Sequence, residues 1–371
     1  MRKLVVFPSD PMQAYLDLGQ TYEYYSDYFN PGGYFDEVYA LSPWGNSYEE
    51  VHAKVTYIKS KPKNYRKIIK EISPSVVRGY GGYRCADWLA MSTVDGIPNV
   101  LSIHDPSRDF IYDSIRYADN LIYMSNCVKE SVRKYINCEE KGEWVMGNRI
   151  DTELFSYTPS EEFNESQKRI FGSGRHILHV GRKGVEKNLD TLIKSLKYLP
   201  GDVSAIFVGR GNFEPYEKLA IETGVNDRVF NVDHVENIAL PKWYSWCDCF
   251  CTPSRREGFG FVFIEAASCQ TPIVTSNTGA MNEYLINGEN AVLVNDYNDP
   301  VALADALKYV LDNKSETDRI RKNARKVGEY FSKESVDAQE IAIYEQIINK
   351  GPRPRSVMPF FEQKKYEWKY R

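Results

Sequence analysis

Short apolar runs bounded by Gly, Pro and polar residues recur along the chain. They alternate with segments whose apolar residues return every three or four positions. The first pattern predicts strands at 3–7, 35–41 and 51–58, a strand running into a turn over 74–82, and strands at 98–104 and 118–125. Helices are expected at 62–72 and 128–135. The rhythm then restarts, with strands at 176–180, 205–208, 229–235, 249–252 and 272–275. Helices are expected at 189–199, 240–247, 301–312, 318–331 and 335–348. Runs that are apolar throughout suit parallel strands covered on both faces, and strand–helix alternation points to α/β architecture. A length of 371 residues fits two such domains.

The richest stretch is 249–275, which reads as strand, Gly-punctuated loop, helix from about Phe261, Pro stop and second strand. Gly258 and Gly260 allow tight backbone where side chains would block a ligand. The first turn of the helix leaves N–H groups free and carries partial positive charge, which suits an anion. Glu257 lies on the loop and Glu265 about one turn into the helix, as Glu-x7-Glu. Such an arrangement can hold a pyrophosphate on the helix end while carboxylates accept hydrogen bonds from sugar hydroxyls. Two further strand ends carry chemistry. One closes in Gly181-Arg182, with Lys187 five residues on. The other closes in His104-Asp105, at the edge where open α/β sheets bind ligands. The bland alternatives are a generic crossover with two solvated glutamates, solvated surface cations and a structural histidine.

Pro253-Ser254, Glu257-Gly258-Phe259-Gly260, Glu265-Ala266 and Thr271-Pro272-Ile273-Val274 stand in the order and spacing of a known family. The chain resembles the retaining, nucleotide-sugar-dependent glycosyltransferases of family 4, closely over 98–348 and loosely over 1–97. The resemblance implies a GT-B fold, in which two Rossmann-like domains face each other across a deep cleft. It places an acceptor domain at 1–160, a donor domain at 161–332, a helix crossing back at 333–350 and a tail at 351–371. It implies transfer of a sugar from a UDP- or GDP-sugar to a glycan or lipid-linked acceptor, in polysaccharide or glycolipid synthesis. His104, Arg182, Lys187 and Glu257 are the implied catalytic set. Donor binding falls to Arg182, Lys187, Glu257, Gly258, Phe259, Gly260, Phe261 and Glu265. Glu257 would meet the donor sugar, Glu265 the ribose, and the amides near Phe259–Phe261 the phosphates. A guanidinium and an ammonium at the departing diphosphate stabilise charge that grows in the transition state. The chain departs from the family at 8–12, where a Gly-rich loop is usual, and at Asp233, Gln270 and Ala280, where Gly is common.

Composition narrows the picture further. With 42% hydrophobic and 26% charged residues the chain can bury two cores. Its net charge of −4 argues against a nucleic-acid binder. Seven cysteines at irregular spacing read as buried hydrophobes in a reducing compartment; Cys247, Cys249 and Cys251 lack a fourth ligand for a metal site. No Asp-x-Asp occurs, so no metal and no other cofactor is expected. A cytoplasmic location is expected, with the basic and aromatic tail either meeting the inner membrane face or packing on the N-terminal domain. Tyr15, Tyr22, Tyr24, Tyr25, Tyr28 and Phe29 either stack on an acceptor sugar or fill a core. Three rival functions remain. A nucleotide-sugar epimerase or hydrolase would consume donor without acceptor. A non-catalytic glycan- or partner-binding subunit has no need of all of Arg182, Lys187, Glu257 and Glu265. A dinucleotide oxidoreductase would need a Gly-x-Gly-x-x-Gly turn that is absent from the sequence.

Overall fold

A computed structural model of the chain describes residues 1–44, 49–353 and 358–370. It divides into two compact units, Met1–Gly147 with Glu334–Arg371, and Asn148–Lys333. Each unit is built on one sheet with Rossmann-like topology, parallel throughout in the second unit and parallel but for one edge hairpin in the first, so the α/β expectation is met in both halves.

In the first unit the strands are β1 (Lys3–Phe7), β2 (Glu37–Ser42), β3 (Glu49–His52), β4 (Val55–Lys59), β5 (Val76–Tyr80), β6 (Asn99–Ile103), β7 (Asn120–Tyr123) and β8 (Gly142–Val145). Their spatial order is β3-β4-β2-β1-β5-β6-β7-β8. Leu4, Val5, Val6 and Phe7 are wholly buried, as an apolar run in a central parallel strand should be. One expected strand is wrong. Residues 51–58 are not a single strand but the hinge of an antiparallel hairpin, β3 to β4, turning at Ala53 and Lys54 with φ of +46° and +69°. Neither residue advertises a left-handed turn as Gly or Asn would, so the pattern hid it.

Helix Lys333–Lys350 lies almost wholly in this first unit and is tied in by polar side chains. Buried Arg78 of β5 donates to Glu340 and, at 2.7 Å, to the hydroxyl of Tyr344. The amide of Gly32 donates to Asp337. The tail helix Phe360–Lys369 packs on the same unit. Glu362 accepts from Arg116 and Tyr117, while Lys369 and Tyr370 donate to the buried carboxylate of Asp87, both at 2.8 Å. Arg355 and Arg371 of the expected basic tail lie outside the described residues. Tyr25 and Phe29 are buried and Tyr15, Tyr24 and Tyr28 pack against them or each other, while Tyr24 is exposed and Tyr15, Tyr22 and Tyr28 are half-buried, so only part of this cluster is core. At 8–12, Arg84 donates to the carbonyl of Ser9 and to Asp10, closing the loop that lacks the usual glycines.

In the second unit the strands are β9 (Arg175–Val180), β10 (Val203–Val208), β11 (Val229–Val232), β12 (Cys249–Thr252), β13 (Ile273–Ser276) and β14 (Val292–Val294). The order is β11-β10-β9-β12-β13-β14, parallel throughout. The chain builds outward from β9 through β10 to β11, then returns to place β12 on the other side of β9. The sheet therefore has a switch point between the carboxyl ends of β9 and β12, where open α/β sheets form a crevice. The unit begins at Asn148, ahead of the expected domain start at 161, because 148–155 packs locally. The Ile150 amide donates to the Phe331 carbonyl, and Arg325 donates to the carbonyls of Phe155 and Thr152. Among the described residues no helix is long and apolar enough to cross a membrane.

Candidate active site

Two loops leave the switch point, one after β9 and one after β12. The first carries Gly181, Arg182 and Lys187. Gly181 has φ +147°, and a Cβ on Gly209 would lie 2.1 Å from the Gly181 carbonyl oxygen, so two backbones pass in near contact here. Arg182 is exposed. The second loop carries Ser254, Arg255 and Glu257 and ends at Gly260, which caps helix Phe261–Ser268 with φ +82°. A Cβ on Gly260 would sit 2.6 Å from the Phe263 ring. Among the described residues no side chain caps this helix; the Phe263 amide donates to the Gly260 carbonyl at 3.0 Å, and the amides ahead of it carry no cap.

The two loops meet. Lys187 Nζ donates to Glu257 Oε1 at 2.6 Å, and Ser254 Oγ donates to the same oxygen at 2.7 Å. The Lys187 and Glu257 side chains are only 14% and 11% exposed, enough shelter for the charges to act strongly on one another. Arg255 fastens the loops at a second place. Its amide donates to the Glu186 carbonyl at 2.8 Å, its guanidinium to the Val185 carbonyl at 2.6 Å, and both oxygens of Asp190 accept from it at 3.0–3.1 Å. Asn188 follows Lys187 with φ +58°, held by a side-chain bond to the Tyr297 carbonyl.

Glu265 is 4% exposed, and its Oε2 accepts from the Tyr244 hydroxyl at 2.8 Å. Burial pushes its carboxyl up to about 7, partly offset by that hydrogen bond. The Tyr284 hydroxyl donates to the carbonyl of Phe259 and lies 3.2 Å from that of Gly260. It occupies acceptors just before the helix. Phe259, Tyr284 and Phe331 pack edge-on behind this loop.

The structure thus brings together Lys187, Glu257, Gly258, Phe259, Gly260 and Phe261 in one unit, with Arg182 and Glu265 on the same loop and helix. His104 belongs to the other unit, just past the end of β6. Its Nε2 is buried without a hydrogen-bond partner among the described residues, and burial, with Arg78 nearby, lowers its pKa to about 4, so the ring is neutral at pH 7. Arg255, Tyr244 and Tyr284 were missed by sequence reasoning. Arg255 stands inside the motif stretch, but nothing local marks its partner 65 residues away. Glu283 closes a short 3-10 turn, Gly279–Glu283. Asp233 is exposed, 4.0 Å from the buried Lys183 ammonium. Cys247, Cys249 and Cys251 are buried free thiols. Among the described residues no group of three His, Cys, Asp or Glu side chains is placed to hold a metal.

The sequence model of the family described as glycosyl transferases group 1 matches residues 160–327. Those residues are a group 1 glycosyl transferase domain. The segment contains Arg182, Lys187, Glu257 and Glu265, so the family 4 resemblance holds there: the chain carries a family 4-like glycosyltransferase domain. D-inositol 3-phosphate glycosyltransferase from Xylanimonas cellulosilytica is 33% identical over 181 residues, 47% of this chain. The match spans 43% of that enzyme's length, less than half. An uncharacterized glycosyltransferase from Methanocaldococcus jannaschii is 27% identical over 71% of this chain and 75% of its own. Among solved structures, Anabaena HepE in complex with UDP-glucose aligns with a TM-score of 0.75 at 18% identity, covering 94% of this chain and all of that one. At that identity the likeness is one of fold, and the fold is GT-B.

Proposed function

We propose that this chain is a retaining glycosyltransferase that moves a sugar from a UDP- or GDP-sugar to a glycan or lipid-linked acceptor without a metal. The observation that carries the reading is the Lys187–Glu257 pair, 2.6 Å apart at the switch point beside an uncapped helix N-terminus. Helix amides and Lys187 suit a diphosphate, and a carboxylate next to them suits sugar hydroxyls. Anabaena HepE, of the same fold, is named as a complex with UDP-glucose.

In this reading the diphosphate sits on the amides around Phe259–Phe261. Arg182 and Lys187 take up its charge as the bond from the anomeric carbon to the phosphate oxygen breaks. Glu257 holds the sugar hydroxyls and Glu265 the ribose. The acceptor oxygen attacks the face that the diphosphate leaves and passes its proton to a departing phosphate oxygen, so no protein nucleophile is needed. His104, neutral at pH 7, meets the donor sugar. A membrane surface carrying the acceptor would be met through 351–371.

A melting-temperature panel with UDP, GDP, ADP and NAD, each with and without EDTA, tests this. A ligand at 100 times its Kd stabilises by about 2.7 kcal/mol. A shift with UDP or GDP that survives EDTA is expected, and it is lost in Lys187→Ala and in Glu265→Ala. Near-normal sugar transfer by both variants would sink the site assignment.

A further inference from the structure

At their carboxyl ends β9 and β12 part. Their ladder registers Cys249 with Ile177 and Phe250 with Leu178 and stops. β9 stays paired with β10 through Val180, and β12 with β13 through Thr252, so each strand continues while the seam between them opens. A side-chain contact spans the opening. His179 Nδ1 lies 2.9 Å from Thr252 Oγ1, and both residues are fully buried. His179 is the stem of the loop that carries Lys187, and Thr252 is the stem of the loop that carries Glu257.

The imidazole also lies beneath Lys187. A Cβ on Gly181 would sit 3.5 Å from His179 Nε2 and 3.8 Å from Lys187 Cε, so ring nitrogen and lysine stem flank the same bare Cα. Among the described residues the buried Nε2 makes no hydrogen bond, although the Cys251 backbone acts on the ring as a partner. An orphaned polar atom is costly, and a phenyl ring would fill the space beside Phe207 without that cost. Packing alone therefore gives no reason for a histidine here.

We propose that His179 and Thr252 are positioning residues for Lys187, whose bridge across the parted strand ends sets the separation at which the ammonium meets Glu257. Burial and the nearby Lys187 charge lower the imidazole to about 3, so it stays uncharged and does not repel the ammonium above it. The effect on catalysis rests on the reading of Lys187 as the diphosphate cation; the effect on the Lys187–Glu257 pair does not.

Thr252→Val and Thr252→Ser separate bridging from packing. Valine keeps the shape and loses the hydroxyl, whereas serine keeps the hydroxyl and loses a methyl. A packing role predicts that valine is the better substitute, and a bridge predicts serine. The first readout needs no nucleotide: the side-chain NMR resonance of Lys187, assigned by its absence in Lys187→Ala. It should move toward the solvated-lysine position in Thr252→Val and in His179→Phe and stay in place in Thr252→Ser. The second is kcat/KM for the donor whose nucleotide the wild-type protein binds. About a tenfold loss is expected in Thr252→Val, within twofold of wild type in Thr252→Ser, and no further loss when Thr252→Val is added to Lys187→Ala. An unmoved lysine resonance in Thr252→Val, or valine outperforming serine, overturns the proposal whether or not His179→Phe folds. A moved resonance in a protein that binds none of the nucleotides supports the bridge and overturns the donor-site reading instead.

Discussion

Glu265 sits in an environment at odds with its chemistry. It is a carboxyl on a buried helix face with one oxygen held by Tyr244, and burial raises it to about 7. The sign follows from linkage. With a folded pKa above the unfolded value of 4.5, the stability tied to its proton is complete below 4.5 and is lost as pH rises through 7. Melting of wild type relative to Glu265→Gln should therefore decline between pH 4.5 and 7, and a flat difference would contradict the buried carboxyl. If Glu265 holds a ribose, it changes from donor to acceptor near pH 7, and nucleotide affinity should bend there too. Gln270 is another residue-scale departure. It stands in the left-handed region at φ +55°, where the family's common Gly is free of the Cβ penalty.

At the scale of elements, loops and helix ends decide what the site can do. Helix Phe261–Ser268 is short and apolar, and its importance lies in its bare N-terminus and in Gly260 before it. Arg255 makes the two loops one body, so the Lys187–Glu257 contact is held from outside as well as made. The tail helix shows two faces. One is anchored through Glu362, Lys369 and Tyr370, while Phe361 and Trp368 stand 87% and 72% exposed on the other. The packed reading of the tail is thus what the structure shows, with aromatic surface left over. Asp87 is the anchor point, fully buried, and also accepts from Ser114 at 2.5 Å. Deleting 358–371 should lower stability by about 1–3 kcal/mol, because a buried carboxylate loses two donors. Asp87→Asn in the shortened chain should recover part of that. An unchanged melting temperature after deletion would show that the latch contributes nothing.

For the whole molecule, the two units should answer pH differently. His104 in the first unit is held neutral by burial and Arg78, with its pKa lowered to about 4. Its stabilising contribution is present above 6.5 and is lost as pH falls toward 4. The second unit contains His179, with the same trend, and Glu265, with the opposite one. Calorimetry from pH 7 to 4.5 should show the transition of the first unit falling while that of the second moves less. A His104→Asn variant should flatten the fall in the first, and a parallel drop in both units with no change in that variant would refute the assignment.

Most of the element order could be read from the chain, since a buried parallel strand writes a continuous apolar run and an amphipathic helix writes a 3.6-residue period. The Gly258–Gly260 loop and the glutamates on either side of it were also readable, because backbone freedom and helix spacing are local properties. The hairpin at Ala53–Lys54 escaped, since its turn lacks the usual residues. Local pattern therefore carries the parts: two α/β units, a Gly-loop before a helix, and cations and carboxylates at strand ends. The pairings come from the folded arrangement: Lys187 with Glu257 across 70 residues, Tyr244 with Glu265, His179 with Thr252, Lys369 with Asp87. The reason is physical. Local pattern sets where each side chain points from its own strand or helix, whereas partners are set by sheet order, and a chain that doubles back to lay β12 beside β9 leaves no local trace of having done so.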